Sequence, residues 1–185
     1  MCGFAGMFAV NRSVDEGLLV RMGNAIAHRG PDDSGQWMDP QTGIGLTHRR
    51  LSIVDLSPAG HQPMVSPSAR FVIAFNGEIY NHAEMRTSLS GVAWRGHSDT
   101  ETLLAAFDVF GVEAALKRCV GMFAFALWDR ADRSLILARD RLGEKPLYYG
   151  WQNDTFLFGS ELKALKIHPA FKGEINRDAL PAAAP

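Results

Sequence analysis

The chain has 185 residues, 46% of them hydrophobic and 21% charged, which excludes a disordered or fibrous chain and suffices for one domain burying roughly 70% of its unfolded surface. Its 19 basic and 20 acidic side chains leave a net charge of -1, so no large field recruits nucleic acid or an anionic membrane surface as a partner. No apolar run approaches ~18 residues and no basic leader precedes the apolar N-terminus, which points to a cytoplasmic protein. Two cysteines, Cys2 and Cys119, are too few for a disulfide framework or a thiolate metal site.

Residues 2–10 form an apolar run broken by Gly3 and Gly6, which predicts a buried strand closely approached by another backbone. Ser13 and Glu16 have capping-box spacing, and Leu18, Met22 and Ile26 then mark one face of a helix that His28-Arg29-Gly30-Pro31-Asp32 ends. Strands are predicted at residues 35–38, 44–54 and 71–80. Asn81 and Ser98 each stand three residues before a glutamate, placing helices from about 82 and from 99 to 110, with a shorter one over 112–118. Four strands at 122–128, 135–138, 146–151 and 155–158 are spaced as consecutive hairpins in an antiparallel sheet, and a helix over 161–167 follows. This order of elements predicts an α+β sandwich of two sheets with helices outside. Another helix begins within 175–180, before an Ala/Pro tail at 181–185 that suggests a truncated chain.

Several residues could carry chemistry. If Met1 is removed, Cys2 presents a thiol and a free α-amine on one residue, with ordinary pKa values near ~8.5 and ~7.7–8.0, so it carries its own base. Asn76-Gly77 reads either as a hairpin turn or as an oxyanion hole built from the Asn76 amide and the Gly77 N–H. Alternation in a strand allows only one of Arg49 and Arg50 to face a site, where a guanidinium suits a carboxylate. Asp99 reads equally as a helix cap. The charged stretch from Arg139 to Pro146 reads as a salt-bridged turn, and the six histidines show no metal-ligand spacing, so no metal is expected.

Seven motifs in order then converge on one family. They are Met1-Cys-Gly3, His28-Arg-Gly-Pro-Asp32, Arg50-Leu-Ser-Ile-Val-Asp55, Asn76-Gly-Glu-Ile-Tyr-Asn81, Ser98-Asp-Thr-Glu101, Gly121-Met-Phe-Ala-Phe-Ala126, and Arg139-Asp-Arg-Leu-Gly143 with Lys145-Pro-Leu-Tyr-Tyr149. Over residues 1–180 the chain resembles the glutaminase domain, a class II N-terminal-nucleophile glutamine amidotransferase, of glutamine-hydrolysing asparagine synthetase. The resemblance implies a four-layer αββα sandwich of two antiparallel sheets. It further implies Cys2 as nucleophile, Asn76 and Gly77 as oxyanion hole, and Arg50, Glu78 and Asp99 as the groups holding the amino-acid end of L-glutamine. Leu51, Ile53 and Val54 would complete the pocket wall. Arg50 is preferred to Arg49 because it directly precedes Leu51-Ser52.

The family continues into a synthetase domain with a Ser-Gly-Gly-x-Asp-Ser loop for ATP, a sequence absent from these 185 residues. No cofactor is expected in this chain, ATP and magnesium belonging to that missing domain. The implied partner is a synthetase domain or subunit that accepts ammonia. Two alternatives stay open: a silent remnant that binds glutamine or docks without turnover, and a glutaminase half serving an amidation other than asparagine synthesis. Leu51-Ser-Ile-Val-Asp55 and Lys145-Pro-Leu-Tyr-Tyr149 speak against an amidophosphoribosyl- or glucosamine-phosphate-type transferase.

Overall fold

Alternation along the strands builds the layers. In β5 (Phe71–Ile79), Phe71, Ile73, Phe75 and Ile79 pack on one side and Val72 and Ala74 on the other; β6 (Gly121–Asp129) repeats the pattern with Phe123, Phe125 and Leu127 against Ala124, Ala126 and Trp128. The computed structural model describes residues 1–10 and 13–174. One sheet runs in the order β4 (Met64–Val65), β5, β6, β7 (Ser134–Arg139). The other runs β2 (Asp33–Asp39), β3 (Ile44–Arg50), β1 (Gly3–Ala9), β9 (Thr155–Gly159), β8 (Tyr148–Gln152). Every pairing is antiparallel.

The inner faces meet through Phe4, Leu46, Val72, Ala126, Trp128 and Phe158. Each such buried large side chain contributes about 1.5–3 kcal/mol by leaving water. Helices α1 (Glu16–Ala25) and α5 (Leu162–Leu165) cover the outer face of the β1 sheet through Leu19, Met22 and Leu165. Helices α2 (His82–Thr87), α3 (Asp99–Phe110) and α4 (Val112–Arg118) cover the outer face of the β5 sheet. The result is the expected αββα sandwich. Gly6 is required where a Cβ would lie 2.4 Å from the Phe158 ring and 2.6 Å from the Gly45 carbonyl. No helix among the described residues is long and apolar enough to cross a membrane.

Some local expectations are corrected. Asp15, not Ser13, caps α1 by accepting the Leu18 N–H at 3.2 Å. Asn81 makes no cap bond to α2; its side chain instead ties Arg118 and Val120. Strand β3 ends at Arg50 and not at 54, because Asp55 and Ser57 carbonyls engage the Arg50 side chain and turn the chain away. The last four strands are two hairpins divided between the sheets: β6–β7 and β8–β9 pair, while β7 and β8 do not. Asn76-Gly77 forms no turn and lies within β5, opposite Ala124 and Phe123. Helix α5 is shorter than expected, and the helix predicted within 175–180 lies outside the described residues.

Candidate active site

Three strands carry the inner face of the sandwich to one open end. Phe4 faces inward on β1, so Cys2, two residues earlier, continues that side; Ile44, Leu46, His48 and Arg50 share one parity on β3, and Val72, Ala74 and Asn76 share one on β5. Antiparallel register sets Gly3 beside Arg49 and Phe4 beside His48, which brings the start of β1 to the end of β3. His48 Nε2 donates to the Phe75 carbonyl at 2.9 Å and joins the sheets next to Asn76. A cavity of about 100 Å³ lies there. Cys2, Arg50, Leu51, Ile53, Val54, Asn76, Gly77, Glu78 and Asp99 all line it.

Cys2 is half-buried, its Sγ donating to the Leu51 carbonyl at 3.6 Å and accepting the Leu51 N–H at 3.4 Å. Burial pushes the thiol up, while the Leu51 N–H, the chain's amino terminus and Arg50 pull it back. Arg29 Nε donates to the Cys2 carbonyl at 2.9 Å and its Nη1 pairs with Glu161 at 2.9 Å, which fixes the Cys2 backbone. The second thiol, Cys119, is buried among apolar side chains and pushed up to about 11 by that burial, which leaves it inert.

Arg50 is buried on the cavity side, donating from Nη1 to the Ser57 carbonyl at 3.0 Å and from Nη2 to the Asp55 carbonyl. Those bonds occupy two of five guanidinium donors. Gly60 packs against the fork so closely that a Cβ would lie 2.1 Å from Nη2. Arg49 points the other way, to the Gly23 carbonyl and Asn24 at the end of α1. Asp55 anchors the following loop by accepting the Ser57 and His97 N–H groups, each at 2.8 Å; although burial opposes its ionisation, these bonds hold its carboxyl at about 2. On that loop Ile53 and Val54 are exposed at the cavity mouth.

Asn76 is fully buried, yet its Nδ2 has no acceptor among the described residues. Odd-numbered residues of β5 turn their N–H groups away from β6: that of Phe75 goes to Gln62 Oε1 at 2.7 Å and that of Ile79 to Asp99 Oδ2 at 2.9 Å. Gly77 lies between them and shares the direction, so its N–H faces the cavity. A side chain here would clash with β6, since a Cβ would stand 2.4 Å from the Met122 carbonyl.

Ser98 caps α3 through the Glu101 N–H at 3.1 Å, which leaves Asp99 in the first turn and not at the cap. The Asp99 carboxylate accepts the Ile79 and Thr100 N–H groups; burial raises its pKa and these two bonds lower it. Glu78 is half-buried at the same wall. Sequence reasoning assigned no role to Arg29, Gln62 or Lys145, although Arg29 and Lys145 fall inside recognised motifs and Gln62 and Lys145 line the cavity. The turn around Lys145 holds no salt bridge among the described residues. Asp140 and Arg139 bond its backbone instead.

An αββα sandwich with this cavity at one end is the fold of an N-terminal-nucleophile amidotransferase. Glutamine phosphoribosylpyrophosphate amidotransferase from Bacillus subtilis, solved with ADP and GMP, superimposes over 90% of this chain and 43% of its own with a TM-score of 0.75, at 19% identity that speaks for the fold alone. The chain belongs to the glutamine amidotransferase domain family, whose model matches residues 1–183. It is 43% identical to asparagine synthetase [glutamine-hydrolyzing] 1 of Bacillus subtilis over 97% of this chain, and 37% identical to asparagine synthetase [glutamine-hydrolyzing] 3 of Arabidopsis thaliana over 89%. The chain spans 29% and 28% of the lengths of these two relatives.

Proposed function

We propose that, once Met1 is removed, this domain hydrolyses L-glutamine to glutamate and ammonia through a γ-glutamyl thioester on Cys2. The ammonia passes to a synthetase region that amidates aspartate to asparagine, as the names of the relatives suggest. The observation that carries the proposal is the unsatisfied donor Asn76 Nδ2, next to the Gly77 N–H that strand alternation turns away from β6, on the cavity that also holds Cys2. A buried donor without a partner is rare, and set beside a second N–H it suits an oxyanion.

Glutamine arrives as a zwitterion. The free donors of Arg50 suit its α-carboxylate, and Asp99 with Glu78 suits its ammonium, which directs the side-chain amide toward Cys2. The Cys2 α-amine takes the thiol proton as sulfur bonds to the amide carbon, and the oxygen gains charge facing Asn76 and Gly77. That ammonium then protonates the departing nitrogen, the C–N bond breaks, and ammonia leaves a thioester. Water attacks with the amine again accepting a proton, the C–S bond breaks, and glutamate and the thiol are restored. Leu51, Ile53 and Val54 form the remaining wall.

ATP and magnesium for aspartate activation would be held by a region outside these 185 residues, and we place the protein in the cytoplasm, where free thiols persist. The test compares the processed protein with a variant carrying one residue inserted between Met1 and Cys2. Glutamate release from the processed form alone is expected; equal release from the inserted form would end the self-base mechanism, and binding without release from both would leave a silent glutamine-binding module.

A further inference from the structure

Lys145 is 5% exposed and lines the cavity, yet its ammonium has no carboxylate partner among the described residues. Its Nζ stands 3.0 Å from the Met1 Sδ, a thioether that offers only a weak acceptor. Burying an ammonium without a counter-charge is costly, and proteins ordinarily pair it. Here the surrounding chain is built to hold it in place. The Asp140 carboxylate accepts the N–H groups of Phe123, Leu142, Glu144 and Lys145 at 2.9–3.3 Å, and Arg139 donates to the carbonyls of Lys145 and Gly143. Such a supported turn presents a side chain in one geometry.

Met1 covers this ammonium, and the proposed chemistry requires Met1 to leave. Its excision uncovers Lys145 on the wall of the cavity that Cys2 also lines. The substrate's side chain is a neutral amide; the product differs by a γ-carboxylate released at Cys2. We infer that Lys145 is an anion subsite, uncovered by loss of Met1, that takes the γ-carboxylate of the glutamate product. The inference rests on the glutaminase reading above. Its consequence is that the site retains glutamate against glutamine, so accumulated product throttles turnover.

The experiment measures glutamate and glutamine binding by calorimetry on Cys2→Ala protein, which cannot turn over, with loss of Met1 verified by intact mass. Lys145→Met in that background is expected to lower the glutamate-over-glutamine affinity ratio about 10-fold, one hydrogen bond to a charged group, and Lys145→Arg to restore most of it. The same ratio in the parent and in Lys145→Met would overturn the subsite while leaving the glutaminase reading intact. Failure of the Cys2→Ala protein to bind either amino acid would overturn both. Thermal unfolding of Lys145→Met is followed alongside, and Lys145→Gln serves where the methionine variant does not fold.

Discussion

Along the inner face of the sandwich the same strands end in two different ways. At positions such as Phe4, Leu46, Val72 and Ala74 the facing side chains are apolar, buried and mutually packed. Two to four residues farther along the same faces stand Cys2, Arg50 and Asn76, which are polar and line a cavity, with His48 buried beside them against the Phe75 carbonyl. Backbone pairing runs on into the second region, Gly3 pairing with Arg49 and Asn76 with Ala124, with Cys2 one residue beyond. The difference teaches that this site is not an addition to the core: it is the core's own face, extended past the point where apolar volume fills the gap, and its polar groups are positioned by strand register.

If the two regions divide stability from chemistry, substitutions in each should separate the two readouts. Phe4→Ala should cost about 3–5 kcal/mol of stability, read from denaturant unfolding, with turnover per folded molecule unchanged. Asn76→Asp should do the reverse. It replaces a donor by an acceptor-only carboxylate, so glutamate release should fall by about 10²- to 10³-fold while β5, paired through its backbone, keeps its unfolding midpoint. A destabilised Asn76→Asp protein with normal turnover per folded molecule would make Asn76 a structural residue.

His48 lies at the boundary and sharpens it. Its ring is fully buried, Nε2–H donates to Phe75, and Nδ1 has no partner among the described residues. Burial lowers its pKa from the ordinary 6.5 to about 4. The unfolded chain therefore binds the proton first, so the contribution of neutral His48 is complete above pH ~6.5 and is lost as pH falls toward 4, about 3 kcal/mol in all. Unfolding measured across that window should show this loss, and His48→Gln should flatten it; an identical slope in the variant would place the titration elsewhere. The smallest expected effect lies at the arginine pair. Arg50→Lys should raise the glutamine KM about 10-fold with little change in kcat, and Arg49→Lys should change it less than about twofold. Sensitivity at Arg49 instead would mean that the cavity side of β3 does not hold the substrate carboxylate.

The sequence disclosed this arrangement unevenly, for physical reasons. Period-2 alternation and helix caps identify most elements because each reports a local environment, and alternation alone limits the Arg49/Arg50 choice to one. Asn76-Gly77 is different: a dipeptide that favours a tight turn also suits a strand where glycine clears a neighbouring carbonyl, and only the pairing with β6 decides. Hairpin spacing is the same whether β7 and β8 join one sheet or two, so the division between sheets was hidden. Strand β4 has two residues and leaves no period to detect. In sequence Lys145 reads as part of a salt-bridged turn, since its contact with Met1 joins distant parts of the chain and leaves no local signal.

The central claim is that glutamine acylates Cys2 with the residue's own free amine as the base, and rapid acid quench with intact-mass analysis tests it most directly. Processed protein mixed with glutamine should show the added mass of one γ-glutamyl group, mapped by peptide digestion to Cys2, accumulating further in Asn76-intact protein at low temperature and absent from the form with a residue inserted before Cys2. Glutamate release with no adduct at Cys2, or an adduct of equal yield in the inserted form, would contradict the account.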